Sequence, residues 1–455
     1  MVSVLTDSPQ VAQNGASEPE PSRERKPDSD DLAQDLEKHW KGIMAYFHSE
    51  WHKYREGFWD KRQLQEVHLA ARYFLRGYKE KSGIKVSMSL AREVVSLAET
   101  ELFMPDRKLM EFAELQKPYI NLQNGLYNLE THELEPHRPD LYLTNQLPFA
   151  YDPHARISAF SDYLRTSLVS KDGQPNRDMA MLVGEAMAYS MTARTDLKAS
   201  FWLVGQPNSG KSKLVSLIAN IMGSLHKTID LNQLATNRFL LSGIVGKRVV
   251  TFTEASEGSI LPDAIYKTLV GGGDEIYADV KNKPAITFKP EAKFWWAMNN
   301  APRTIDNSGA VINRLRVILF NRSIPEAEQI KDLDARLKTE MPGIFNWLMT
   351  CYRRLQSSGQ FTLPTESAEW LQDFKARNDT YQTFVNERCI VSRTAKVSSR
   401  ELYDAYRNWA IESGYTPRNI NQVSVEWKRL GFEARSVDGY PYFYGLALKN
   451  FRTGI

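Results

Sequence analysis

The chain has 455 residues, of which 42% are apolar and 11% aromatic, with a net charge of +3 and two cysteines. That length exceeds one hydrophobic core, so two to four folded units are expected, and the near-neutral balance neither demands nor excludes nucleic acid, for which clustering of the basic residues matters. Cys351 and Cys389 stand far apart without His or Cys neighbours, which argues against a zinc site or a disulfide framework and fits a reducing, cytoplasmic setting; no 18-residue apolar run predicts a membrane role.

Residues 1–31 are rich in Ser, Pro, Glu and Asp and nearly free of large apolar groups, so a disordered tail is expected. Residues 32–116 carry apolar and aromatic residues at helical spacings and are read as a mainly helical N-terminal region. Residues 117–165 follow as an extended module, with a tight turn at Asn124-Gly125. From 166 to 350 short apolar runs alternate with helical patterns, which predicts an α/β fold with a parallel sheet. A polar linker is expected over 351–380, and a last module over 381–455.

The stretch GQPNSGKS, Gly205 through Gln206, Pro207, Asn208, Ser209, Gly210 and Lys211 to Ser212, meets the phosphate-binding pattern G-x-x-x-x-G-K-[ST]. An apolar run, Ala199–Val204, precedes it. Leu214, Leu217, Ile218 and Ile221 follow at one helical face before Gly223. In such a strand, loop and helix, backbone N–H groups surround the phosphates of ATP, Lys211 reaches the terminal ones, and the Ser212 hydroxyl binds Mg²⁺. An acid at the end of a neighbouring strand must complete the metal site, and Glu254 after Val249–Thr253 fills that role, with Glu257 as an ordinary surface carboxylate or a helper. A third strand, Phe294–Met298, ends in Asn299 and Asn300, where an amide can orient the attacking water. Arg314 and Arg316 lead into a fourth, where arginine can form a surface ion pair or neutralise transferred phosphoryl charge, often from an adjacent subunit.

The order of these motifs resembles the superfamily 3 helicases, in the helicase part of the phage, plasmid and poxvirus-type primase-helicases. Lys267, Gly272, Gly273 and Asp274 lie close to that family's loop before a basic β-hairpin, although the glycine run has one residue more than usual. The resemblance implies an AAA-like P-loop ATPase core that assembles as a homo-oligomeric ring, usually a hexamer, around DNA. It places Lys281 and Lys283 at the tip of a channel hairpin, Asn299 at the polar sensor and Arg314 at the arginine finger; Asp279 stands where many relatives carry a basic residue. The stretch upstream of residue 120 shows no carboxylate cluster for nucleotide polymerisation, so a separate primase is an implied partner. The setting would be the cytoplasm of a bacterial host.

The last module reads as helix, helix and hairpin, a winged-helix-like pattern with a capping box at Ser398 and Glu401 and a turn at Asp438-Gly439. Arg418, Asn419, Gln422, Lys428, Arg429 and Arg435 are its candidate DNA contacts, and the run YPYFYG is expected in its core. The expected function is an ATP-driven, ring-forming DNA helicase of phage or plasmid replication. The alternatives are an origin-binding initiator, for which ATP controls assembly or melting, and a small-molecule kinase.

Overall fold

A capping box opens the first helix: Asp28 accepts from the Asp31 N–H, and the Asp31 carboxylate accepts from the Asp28 N–H. Helix α1 (Ser29–Trp40) therefore starts three residues inside the expected tail. The computed structural model describes residues 25–230, 233, 237, 239–253, 260–281, 283–304 and 309–449; residues 1–24 of that tail lie outside them.

Two compact units result, one running to Arg55 and from Trp59 to Glu111, the other comprising Glu56–Phe58 and Phe112 onwards. The first is not helical throughout. Its α1 is followed by an antiparallel meander, β1 (Met44–Phe47), β2 (Glu50–Arg55) and β3 (Phe58–Arg62), before α2 (Leu64–Ser82) and α3 (Met88–Glu101). The region is mainly helical as expected, with the meander as a local exception where two-residue turns intervene: His48 and Ser49, then Glu56 and Gly57, all adopt positive φ, the backbone twist that suits a hairpin. Aromatic residues between those turns favour the pleat over a helix. Trp40, Trp51, Val67, Leu75 and Val94 meet in this unit's core. His52 is only 6% exposed, with its ring stacked on Phe47 at 3.8 Å.

The second unit begins beyond the middle of α4 (Asp106–Gln116). A small meander, β4 (Tyr119–Leu122), β5 (Gly125–Asn128) and β6 (Leu134–Glu135), contains the expected turn and precedes α5 (Ala159–Ser167) and α6 (Arg177–Met191). There follow β7 (Ser200–Gly205), α7 (Lys211–Met222), β8 (His226–Ile229), β9 (Val249–Phe252) and α8 (Asp263–Val270). The hairpin β10 (Ile276–Val280) and β11 (Lys283–Phe288) stands apart from the main sheet, and β12 (Lys293–Met298) and β13 (Leu315–Phe320) rejoin it. All five strands are parallel in the order β13-β7-β12-β9-β8, the α/β arrangement expected.

Helices α9 (Leu333–Thr339), α10 (Met341–Ser358) and α11 (Thr365–Arg377) complete this layer. One apolar cluster extends from Ile120 in β4 through the sheet to Phe374 in α11. The expected boundary at 165/166 thus cuts a helix whose buried face belongs to that core. The expected linker over 351–380 is mostly helical: Phe374 is 2% exposed and meets the Trp202 ring edge-on at 5.6 Å, while Ser367 Oγ donates to Val317 O at 2.7 Å. Its polar exposed face misled the reading, since the contacts that bury its other face come from distant strands.

The last module adds two elements to the expected three. It runs α12 (Thr380–Arg388), β14 (Cys389–Ser398), α13 (Ser399–Glu412), α14 (Ile420–Arg429), β15 (Glu433–Val437) and β16 (Tyr440–Leu448), with sheet order β14-β16-β15 and its own core around Phe384, Tyr406, Trp409 and Trp427. Ser398 Oγ caps α13 by accepting from the Glu401 N–H at 3.2 Å. The aromatic run is not core: Phe443 alone of its rings is buried, whereas Tyr440 is 70% exposed. Alternation along a strand explains it, because Tyr440, Tyr442 and Tyr444 share the face opposite Phe443. Both cysteines are buried, which pushes the Cys351 thiol up to about 12 and that of Cys389 to about 11.

Two outcomes are expected from this packing. Phe374→Ala should destabilise the second unit by about 3–4 kcal/mol in urea unfolding, the cost of emptying an aromatic site in a core, where a linker residue would cost almost nothing. Burial holds the His52 imidazole down at about 4, against 6.5 when unfolded, so its neutral form is favoured in the fold. The associated stability is present above pH 6.5 and is lost as pH falls toward 4, by roughly 3 kcal/mol in full. Amide exchange of β1–β3, corrected for intrinsic rates, should show this loss, and His52→Phe should flatten it.

Candidate phosphate-binding site

The glycine loop occupies the carboxyl end of β7, between β13 and β12, the kind of crevice in a parallel sheet where ligands bind. Two glycines are required sterically. A Cβ on Gly205 would lie 2.1 Å from Phe320 O, and one on Gly210, at φ +100°, would lie 2.7 Å from Ser167 Oγ. Asn208 also takes positive φ, and its carbonyl accepts from the Ile324 N–H at 2.9 Å, which ties the segment after β13 to the loop.

Lys211 opens α7 and is 6% exposed, with Nζ donating to Gly205 O and Gln206 O at 2.6 Å each and to Ser209 Oγ at 3.2 Å. The ammonium is therefore held within the loop it would serve. The first turn of α7 supplies N–H groups that lack helical acceptors, the positive end of the helix dipole.

A cavity of about 380 Å³ opens on this loop, within the range of small-molecule sites. Pro207, Asn208, Ser209, Gly210, Lys211 and Ser212 line it, and so does Asn299 from the end of β12. Met298 pairs with Val204 in the sheet, so Asn299 stands beside Gly205 across one strand spacing. Gly205 and Gln206 contribute backbone rather than lining. Glu254 and Glu257 lie outside the described residues, but β9 ends on the same edge, since Phe252 is opposite Trp296 and Trp296 Nε1 donates to Thr253 O at 3.0 Å.

Several lining groups escaped the sequence reading. Tyr163, Thr166 and Ser167 come from α5, and Ile324, Glu328, Gln329, Ile330 and Leu333 from the segment leading into α9. Tyr163 Oη donates to Gly210 O at 3.0 Å, and burial raises that phenol above its ordinary range. Their only sequence signal was a helical pattern in AFSDYLRTS, which spacing alone could not bring to the loop.

Arg314 does not reach this cavity. Leu315 is opposite Ser200 while Phe320 is opposite Gly205, so Arg314 lies at the other edge of the sheet, roughly 17–20 Å away at strand rise. Its Nη1 donates to Ala310 O at 2.6 Å, and its buried Nε has no hydrogen-bond partner. Arg316 donates to Asn313 O and Leu315 O and lies over the Phe361 ring at 5.5 Å. Nearby at the start of β12, Lys293 is 2% exposed and donates to Thr192 O and Glu291 O; burial, with Arg248 beside it, drives its pKa well below the ordinary value.

Lys281 is exposed in the β10–β11 turn and Lys283 opens β11, as the hairpin expectation required. Asp279 precedes them in β10. In the last module Arg418 and Lys428 are exposed, and Arg429, about half exposed, pairs with Asp379 and Glu426, both at 2.6 Å. Arg418 and Lys428 sit at opposite ends of α14, about 15 Å apart at helical rise, too far to read one set of bases together.

Residues 203–314, which span the loop, the β10–β11 hairpin and Arg314, match a family of unknown function (DUF5906), and residues 36–168 match a D5 N terminal like region. The chain is 23% identical over 332 residues to "Putative helicase L207/L206" of Acanthamoeba polyphaga mimivirus, covering 66% of this chain and 34% of the relative. It is 21% identical over 366 residues to "Putative helicase V13" of Sputnik virophage, covering 74% of this chain and 45% of that protein. The chain thus spans less than half the length of either relative. The apo structure of the NrS-1 C terminal region aligns over 90% of this chain and 97% of its own, with 13% identity and a TM-score of 0.47. These matches support the resemblance to the superfamily 3 helicase part of the phage-type primase-helicases, with a D5 N terminal like region ahead of it. Among the described residues no helix is long and apolar enough to cross a membrane.

Proposed function

We propose that the chain is an ATP-driven motor that assembles as a ring and translocates on DNA during phage-type replication. The observation that carries this reading is the division of one catalytic set between two edges of the sheet. Lys211, Ser212 and Asn299 surround the cavity at one edge, while Arg314 stands at the other without a carboxylate partner among the described residues. A guanidinium placed there cannot reach the cavity of its own subunit but could meet a phosphate on a neighbouring one, so on this reading the site is completed in an oligomer.

In this P-loop, AAA-like reading, Lys211 leaves the loop carbonyls to pair with the terminal phosphates. Asn299 orients the attacking water, and the cavity walls from α5 and the 324–333 segment hold the rest of the nucleotide. Ser212, with Glu254, would hold Mg²⁺, which supplies charge neutralisation of the phosphates. Ser212 fits that role by its place on the cavity wall at the head of α7. Lys281 and Lys283 would line the channel and track the DNA backbone without sequence preference. The domain divisions follow the described cores: an N-terminal domain, an ATPase layer that takes in the 117–165 module and α11, and a winged-helix-like domain from Thr380. That last topology also favours a second reading, an origin-binding initiator in which duplex recognition survives Lys211→Ala.

The test is ATP hydrolysis by the purified chain with and without single-stranded DNA. Hydrolysis should rise several-fold with DNA, fall at least 100-fold in Lys211→Ala, and lose its DNA stimulation while keeping its basal rate when Lys281 and Lys283 are both alanine. Hydrolysis indifferent to DNA would remove the motor, and phosphotransfer to a small molecule without DNA would point to a kinase.

A further inference from the structure

The last module has an aromatic face that neither the phosphate site nor α14 uses. Tyr440, Tyr442 and Tyr444 follow one another at every second position of β16, so their rings project from the same side of the sheet, about 7 Å apart along the strand. Phe443 points the other way into the core, and Gly445, at φ +89°, breaks the alternation so that Leu446 is buried as well.

The flanking strands place cations on these rings. Lys396 of β14 is opposite Tyr444 and its Nζ lies 5.5 Å from the centre of the Tyr442 ring; Arg435 of β15 is opposite Tyr442 and its guanidinium lies 5.0 Å from the centre of the Tyr444 ring. Arg393 is exposed in the bulge of β14 between Val391 and Lys396. One carboxylate, Glu433, belongs to the same surface, where it pairs with Arg435. Both members of that pair are more than 60% exposed, so solvent screens the contact and a competing anion can displace it. Tyr440, beside the Asp438-Gly439 turn, ends the row at the hairpin tip with 70% of its surface exposed.

We propose that this face binds single-stranded nucleic acid, with bases stacked on Tyr442, Tyr444 and Tyr440 and phosphates met by Lys396, Arg435 and Arg393. Three aromatic rings in a row, two of them overlain by cations and with a third cation exposed in the adjoining bulge, suit a flexible polyanion with exposed bases. A duplex, whose bases are already stacked, gains nothing from the rings. A protein partner would be served equally by the apolar character of the face and would not need its cations. The proposal deepens the motor reading by adding a strand-holding surface outside the ring's catalytic layer, and it rests on that reading only for its role, not for its chemistry.

The experiment uses the full chain without nucleotide. Binding of a fluorescein-labelled oligothymidylate and of a duplex of equal length is followed by anisotropy across a salt series, and an oligonucleotide carrying 5-iodouracil is photocrosslinked and its attachment mapped. Replacing Tyr442 and Tyr444 together by alanine should weaken single-strand binding at least tenfold, with little change in salt slope or duplex affinity. Lys396→Ala with Arg435→Ala should reduce the salt slope, and crosslinks should map to residues 440–444. Unchanged single-strand affinity with crosslinks elsewhere, or an equal loss on duplex, overturns the proposal, as would binding of a protein to this face that the tyrosine pair abolishes while nucleic-acid binding stays intact. Failure of the motor reading registers separately: Lys211→Ala should leave this binding untouched, and both tyrosine changes should leave DNA-independent hydrolysis and thermal unfolding unchanged.

Discussion

No side chain fits at position 205, because the backbone of β13 crosses within contact distance of β7 there. That close approach, between Gly205 and Phe320 O, fixes what the loop can be. It brings the end of β13 against the loop, so that the chain beyond it folds over Asn208 and delivers Ile324, Gln329, Ile330 and Leu333 to the cavity. On the other flank β12 runs beside β7 in strict register and delivers Asn299. Behind, Gly210 admits Ser167 and Tyr163, the latter 47 residues upstream in the chain. Loop, Asn299 and cavity walls are consequences of a single packing choice.

A parallel sheet also separates its two edges by the full strand length, and this separation has a functional meaning. The cavity edge concentrates backbone donors and one buried lysine. The opposite edge collects Arg314, Arg316, Arg248 and Lys293, with Arg248 paired to Glu291 and the other three donating to backbone carbonyls. Burying cations without carboxylates is costly unless an anion completes them. On the ring reading proposed above, that anion would be the phosphate bound at the next subunit's cavity edge.

Much of the site was legible from residue order because each motif ends a short apolar run, and parallel strands all end on the same edge. Gly205–Ser212 and Asn299 fall together for that reason alone. The cavity walls were not legible: Tyr163 and Leu333 reach the loop through packing that no local period encodes. Misreadings arose where a local signal had two solutions. Aromatic residues at 44–62 suited a helix until the paired turns at His48-Ser49 and Glu56-Gly57 are recognised. The polar face of 351–380 resembled a linker, though Phe374 anchors it in the main core. The run YPYFYG was assigned to the interior, whereas strand alternation divides it and sends its tyrosines outward.

The most direct test mixes two inactive forms. Lys211→Ala subunits lack a working phosphate site but retain Arg314, and Arg314→Ala subunits have the converse defect. If the site is shared between neighbours, mixing the two should restore ATP hydrolysis to roughly a quarter of the wild-type rate at equal ratio, the share of interfaces that pair an intact loop with an intact arginine. Hydrolysis that stays at the level of the separate variants, or an Arg314→Ala protein that hydrolyses ATP normally by itself, would contradict it.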